Sequence, residues 1–326
     1  MAVMRLVVSG GDLLRCRFAT SPLWETVNAV RAFVDPRSHP YLRPWWEQVR
    51  DDPPADELLA VQSTRGYTPD FLSPPPREAA PSVEDQLAAV RATPPGQLRA
   101  ELRRVDLATC PSPAAVRAMI ADPETARDVL AAGLEDAWRR LVLPWWPRVR
   151  ELIDGDIEYR SRLMAAYGLG HVVAGLDERV RWSGQAIVIE PAGDDVERKL
   201  DGDGLILMPS AFVWPSVTAV VDRPWQPTLI YPARGIGALL GGRMTAPAPL
   251  ARLLGRTRGL ILADLAEPAT TAALAARHGL APSTVSAHLS ALEGAGLLTR
   301  RRTGHEVRYR HTPLGRALAE GLMPGE

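Results

Sequence analysis

Along the first half of the chain the apolar positions recur three and four residues apart, the spacing of one helix face. Leu23, Val27, Val30 and Val34 make such a stripe directly after Ser21 and Pro22, a capping hydroxyl and a first-turn proline, and together they predict a helix. A longer pattern spans about 125–173, with Val129, Leu130, Leu134, Trp138 and Leu141 on its inner side. Pro144 and Pro147 predict a kink or break within it. A loop rich in proline and serine, at about 73–81, sets the earlier helix apart from those that follow. From Trp182 the period shortens to that of strands, in runs at 186–190, 205–208, 212–214, 217–221 and 229–231 divided by Gly, Pro and Asp. The expected arrangement there is a small antiparallel sheet.

Helical spacing returns near the C-terminus in a form that carries chemistry. A helix predicted over 271–277 turns Leu274 and Ala275 toward a partner, Gly279 supplies a left-handed turn, and Pro282 opens a second helix. In that second helix Val285, Leu289 and Leu292 form a buried stripe, which leaves Ser283, Thr284, Ser286, Ala287 and Ser290 facing outward. Short hydroxyl groups near a helix N-terminus suit base edges and phosphates in a major groove about 12 Å wide. After Gly296, a strand over 297–302, a turn at 303–305 and a return over 307–311 predict a hairpin. Arg300, Arg301, Arg302, Arg308 and Arg310 lie in it against Glu306, with His305 at the tip, a local positive charge for phosphates or a narrow minor groove.

Through LAARHGL, STVSAHLSALEGAGLL and VRYRHTPLG, residues from about 250 to 322 resemble the ArsR family of bacterial winged-helix repressors. The blocks SPLWETVNAVRAF, LILMPSAFVWP and LIYPARGIGALL resemble the N-terminal region of a subgroup of ArsR-type regulators with a long domain of unknown function. The expected fold class is α+β. A largely helical N-terminal region with a small antiparallel sheet, helical to about 180 and β-rich over 181–245, precedes a C-terminal winged helix-turn-helix over 246–326. The expected function is a sequence-specific transcriptional regulator, a repressor relieved by a non-metal effector held in the N-terminal domain. Its DNA contacts are assigned to Ser283, Thr284, Ser286, Ala287, His288 and Ser290 on the second helix and to Arg300, Arg301, Arg302, His305 and Arg308 on the hairpin. The resemblance, combined with half-site symmetry, implies a homodimer on a roughly palindromic operator, with outer helices at about 249–263 and 313–322 as the subunit contact.

Charge and composition refine this reading. The formal net charge of zero conceals a split: residues from 251 onward carry ten arginines and no lysine against six acidic groups, so the remainder is mildly acidic. Cys16 and Cys110, the two cysteines, have no zinc spacing and staple nothing that a chain of 326 residues needs, which points to a reducing cytoplasm. No apolar run approaches the roughly 18 residues of a membrane span. Metal sensing is not expected, because no cysteine lies near the recognition module and His278, His288 and His305 are scattered. Asp201-Gly202-Asp203-Gly204 lacks the ligand spacing of a calcium loop. Catalysis is not expected either: there is no Gly-x-Ser-x-Gly elbow or Walker loop, Gly235-Ile236-Gly237 lacks a third glycine, and Asp154, Asp156 and Glu158 read as a solvated helix face. The competing classes are a winged helix that docks protein and an enzyme domain fused to a DNA reader. All nine tryptophans lie at or before Trp225; core anchoring is their first reading, and an aromatic-walled pocket for a small molecule the sharper one.

Overall fold

The computed structural model describes residues 3–62, 67–190, 195–214, 216–236, 248–265, 268–278, 280–303 and 306–321. The chain forms two compact units, Met1–Ala233 and Arg234–Glu326.

The N-terminal unit opens with strand β1 (Met4–Val7), a single helical turn α1 (Gly10–Leu13) and the short strand β2 (Arg17–Phe18). Helix α2 (Pro22–Val34) follows, capped as its sequence requires: the Ser21 hydroxyl accepts the Trp24 N–H at 3.1 Å, with Pro22 in the first turn. Leu23, Val27 and Val30 are buried along it. The helical layer continues through α3 (Arg43–Val49), α4 (Asp56–Val61), α5 (Val83–Arg91), α6 (Pro95–Leu102), α7 (Pro113–Ala121) and α8 (Pro123–Ala137). The long pattern breaks where its prolines demand it. A π-helical turn at Trp138–Val142 and a 3-10 turn at Leu143–Trp145 separate α8 from α9 (Trp146–Tyr167), after which α10 (Leu169–Ala174) completes the layer. Leu130, Leu134, Trp138 and Leu141 are buried as expected, but Val129 is 39% exposed, because the buried stripe runs through Ala126, Leu130, Leu134 and Ala137 and leaves Val129 at its edge. Trp45 anchors α3 to this layer, fully buried, with its indole N–H donated to the Leu141 carbonyl at 2.7 Å.

The β-rich zone forms, but as two mixed four-stranded sheets rather than one antiparallel sheet. Strands β3 (Val180–Trp182), β4 (Ala186–Ile189), β1 and β5 (Val196–Lys199) make the first, in that order, with β1 antiparallel to β4 and parallel to β5. The second sheet has the order β2, β6 (Ile206–Ser210), β8 (Thr228–Pro232) and β7 (Thr218–Val220); β6 runs parallel to both β2 and β8. Leu207, Leu229 and Tyr231 share one core with Leu6, Ile187 and Val172, whereas Met208, Ile230 and Val220 pack on Trp24 of the opposite side. Burial on both faces explains why β6 and β8 read as continuous apolar runs. Residues 212–214, expected as a strand, instead form the turn after β6.

That turn is held by a buried acid. Glu25 of α2 accepts the N–H groups of Ala211 at 3.0 Å and Phe212 at 3.2 Å, and burial pushes its carboxyl up to about 7. Asp70 is also pushed up to about 7, by burial and then by the neighbouring Glu101 carboxylate; the Tyr67 hydroxyl reaches both acids, at 3.0 and 3.4 Å. An acid whose pKa is raised by folding holds its proton more tightly when folded. Each contribution is therefore lost as pH rises through about 7 and gained as pH falls below it. We expect denaturant unfolding of this unit to show greater stability at pH 6 than at pH 8, and Glu25→Gln and Asp70→Asn each to flatten the dependence over that interval, by about 1.4 kcal/mol at most. His39, held below its usual range by burial, works in the opposite direction at the lower end of this interval, so the variant-minus-parent difference is the decisive quantity. A difference that does not change with pH would contradict the assignment.

The C-terminal unit contains helices α11 (Ala248–Leu254) and α12 (Arg256–Asp264), strand β9 (Ala269–Thr270), helices α13 (Thr271–His278) and α14 (Pro282–Gly294), strands β10 (Leu298–Thr303) and β11 (Glu306–His311), and helix α15 (Pro313–Gly321). The first outer helix was expected as one piece over 249–263. It is divided at Gly255, whose φ of 81° is open to glycine and strained for other residues. Leu250, Ile261, Leu262, Leu274, Val285, Leu289, Leu292, Leu298 and Tyr309 make one core.

Candidate nucleic-acid interface

Two helices joined by a tight turn position the outward groups. The Thr270 hydroxyl caps α13 by accepting the Ala273 N–H at 3.1 Å, and after α13 the chain closes through the Leu280 N–H donated to the Ala275 carbonyl at 3.0 Å. Gly279, expected to make the turn, lies outside the described residues. Pro282 occupies the first turn of α14, as its missing donor favours.

On α14 the stripe of Val285, Leu289 and Leu292 is buried to within 1%. Ser283, Thr284, Ser286, Ala287 and Ser290 are all exposed. Ser283, Ser286, Ala287 and Ser290 follow the i, i+3, i+4, i+7 rule and so share a single face. Every side chain on it is short, which lets the helix backbone come close to a partner. His288 is half-buried and stands beside this face rather than on it.

The antiparallel register of the hairpin divides its arginines in a way their clustering in sequence conceals. Arg300 pairs with Tyr309 and Arg302 with Val307, while Arg301 lies directly opposite Arg308 and Thr299 opposite Arg310. Opposed residues share a face. The Tyr309 face turns toward the core, where Tyr309 is buried and Val307 packs, and Arg300 at its margin meets Glu293 of α14 at 3.1 Å. Arg301, Arg308 and Arg310 therefore share the other face. Arg300, Arg301, Arg302 and Arg310 are exposed and Arg308 is half-buried. Arg310 was left out of the expected contacts, yet the register groups it with Arg301 and Arg308. His305 lies outside the described residues. Strand β9 extends the hairpin to three strands by pairing with β11, which ties the hairpin base to the start of α13.

What holds this assembly in one orientation is a buried acid that sequence reasoning missed. Asp264, at the end of α12, is 1% exposed and receives Arg277 Nη1 at 2.9 Å and His278 Nε2 at 2.9 Å, both from the last turn of α13. Two basic groups at a helix C-terminus also suit its dipole. His311 Nε2 meets the Leu262 carbonyl at 2.7 Å, so α12 is fastened to the hairpin as well. Two of the four C-terminal histidines thus serve internal contacts. Among the described residues no group of three His, Cys, Asp or Glu is arranged to hold a metal ion, and no helix is long and apolar enough to cross a membrane.

A three-stranded antiparallel sheet behind two helices that meet at a tight turn, the second with an exposed hydroxyl face, defines a helix-turn-helix domain, the class of module with which DNA-binding regulators read their targets. Comparison with known families supports that class: the family described as a helix-turn-helix domain matches residues 253–301. A family of unknown function, DUF5937, matches residues 78–237 and so lies largely on the helical layer and both sheets of the N-terminal unit. No curated protein and no solved structure matches the chain.

Proposed function

We propose that the chain is a sequence-specific transcriptional regulator of the ArsR type, a cytoplasmic homodimeric repressor whose N-terminal unit answers to a non-metal small molecule. The carrying observation is the juxtaposition in sequence and fold of a short-chained hydroxyl face on α14 with a hairpin whose outer face collects Arg301, Arg308 and Arg310. In this reading α14 enters the major groove, Ser283, Thr284, Ser286 and Ser290 meet bases and phosphates, and the hairpin is the wing that follows the backbone. The dimer reading rests on the ArsR resemblance and on half-site symmetry. The N-terminal unit binds rather than catalyses.

The division of labour is measurable by titrating duplexes over a range of salt. Arg301→Ala and Arg310→Ala, both on the outer face, should each weaken binding to all sequences alike and lower the slope of log K against log salt by about 1, whereas Arg302, assigned to the contact from sequence, lies on the Val307 face and should matter less. Ser286→Ala should leave that slope intact while changing preference at one base pair by about 1–3 kcal/mol. Absence of affinity for any double-stranded DNA at low ionic strength would overturn the reading.

A further inference from the structure

Strand β11 leads through Thr312 into α15, and the bend between them encloses a cleft of about 610 Å³ with Thr299, Arg310, Pro313, Arg316 and Ala317 on its walls. The bend is rigid. The Thr312 N–H is donated to the Leu297 carbonyl at 3.1 Å and its hydroxyl to the Gly296 carbonyl at 2.7 Å, while the same hydroxyl oxygen caps α15 by accepting the Gly315 N–H at 3.0 Å. Gly315 lies so close to the Leu297 carbonyl that a Cβ would stand 1.9 Å from its oxygen, and Leu318 and Ala319 turn inward beside it. These contacts fix the rotation of α15 about its own axis. Pro313, Arg316 and Ala317, spaced i, i+3 and i+4, therefore share the flank that borders the cleft. From the other wall comes Arg310, opposite Thr299 on the outer face of the hairpin.

Each wall thus supplies one guanidinium, and no carboxylate lines the cleft among the described residues. Arg310 and Arg316 are exposed and make no ion pair or hydrogen bond among the described residues. Arginines of the N-terminal unit are commonly tied to a nearby acid, as Arg43 is to Glu47 and Arg150 to Asp154. Two like charges beside one cleft repel each other until an anion enters, and the guanidinium fork matches a phosphate. The occupant follows from what the cleft adjoins. Arg310 belongs both to the cleft and to the hairpin face that carries Arg301 and Arg308, and outward positions along β11 follow one another at about 6.6 Å, twice the rise of a strand residue. The positive row continues from the hairpin onto α15, which suits a polyanion running past all of it better than an isolated ion.

We propose that this cleft seats a backbone phosphate of the bound DNA, held from two sides by Arg310 and Arg316, so that α15 extends the contact beyond the helix-turn-helix and its hairpin. This deepens the regulator reading above and rests on it. Arg316 also stands four residues before Glu320, the spacing of a helix ion pair, and that role alone would leave the salt dependence of DNA binding unchanged.

The test uses the full chain and two duplexes, one that the parent selects from a randomised pool and one of unrelated sequence. Arg316→Ala should weaken both roughly tenfold and lower the slope of log K against log salt by about 1; combined with Arg310→Ala, it should lower the slope by about 2. Arg316→Lys, which keeps a cation, should retain most of the slope. Ethylation of single phosphates should reveal one whose modification weakens the parent and makes no difference to Arg316→Ala. Circular dichroism and sedimentation establish whether each variant keeps its fold and its oligomeric state. A parent-like slope and ethylation pattern in Arg316→Ala overturn the proposal and leave the regulator reading intact. So does an affinity loss that appears only with a change of oligomeric state, which would place Arg316 in the subunit contact. Phenyl phosphate bound through Arg310 and Arg316, with a DNA slope that ignores both, also overturns it and assigns the cleft to free phosphate esters. A parent without affinity for any duplex at low ionic strength sinks the regulator reading, and the DNA site with it.

Discussion

Asp156→Ala is expected to cost the N-terminal unit about 3–5 kcal/mol, the usual consequence of removing one partner from a buried ion pair. The Asp156 and Arg160 side chains are 0% and 3% exposed, and Arg160 Nε donates to Asp156 Oδ2 at 2.9 Å. The Tyr231 hydroxyl donates to the same oxygen at 3.0 Å, and the guanidinium lies 4.8 Å from the Tyr231 ring centre. Burial, and then the charge of Asp156, hold the Tyr231 phenol well above its ordinary range, so it remains a donor at every working pH. Without the carboxylate, a charged guanidinium is left in the core with the Gly175 carbonyl, at 3.0 Å, as its remaining hydrogen-bond acceptor among the described residues. Asp156→Asn should cost less because an acceptor oxygen survives. Replacing Asp156 and Arg160 together by leucine and methionine should cost less than Asp156→Ala alone, since no unpaired charge remains. Urea unfolding followed by tryptophan emission reads this unit specifically, because every tryptophan lies at or before Trp225. A loss below about 1 kcal/mol for Asp156→Ala would show that the triad contributes little.

The second large effect is expected in the C-terminal unit. Asp264→Ala strips the shared acceptor from Arg277 and from His278, whose side chain is 2% exposed, and releases the end of α12 from the end of α13. A penalty of about 3–5 kcal/mol is comparable with the entire stability of many small domains, about 5–15 kcal/mol. Helical circular dichroism should therefore fall at a lower temperature while tryptophan emission keeps its transition, and duplex binding should be lost together with the helical signal. Asp264→Asn, which retains an acceptor, should lie between parent and alanine variant. If duplex affinity disappeared in Asp264→Ala with helix content unchanged, Asp264 would be acting on DNA contact directly rather than through packing.

The recognition region was legible because its signals are short-range. Val285, Leu289 and Leu292 are spaced so that one side of α14 must be buried whatever surrounds it, and the exposed hydroxyls follow by subtraction. Ser21 with Pro22, and the break at Pro144 and Pro147, depend likewise on chemistry within a few residues. Asp156 was misread as part of a solvated face together with Asp154 and Glu158. Those neighbours are exposed, but Asp156 meets Tyr231, whose position 75 residues later no helical period reveals.

Local periodicity and turn chemistry were enough to establish an α+β chain ending in a helix-turn-helix with an arginine-bearing hairpin, since each of those features is decided by residues within one or two turns. Tertiary structure alone decided that β1 is paired between strands near the end of the N-terminal unit, that Asp12, Asp156 and Asp264 are interior carboxylates, and which hairpin arginines share a face. The physical reason is that strand partners and buried counterions are selected by contacts across long loops. The free energy of those contacts depends on what the rest of the chain brings to them, and that is not written in the local pattern.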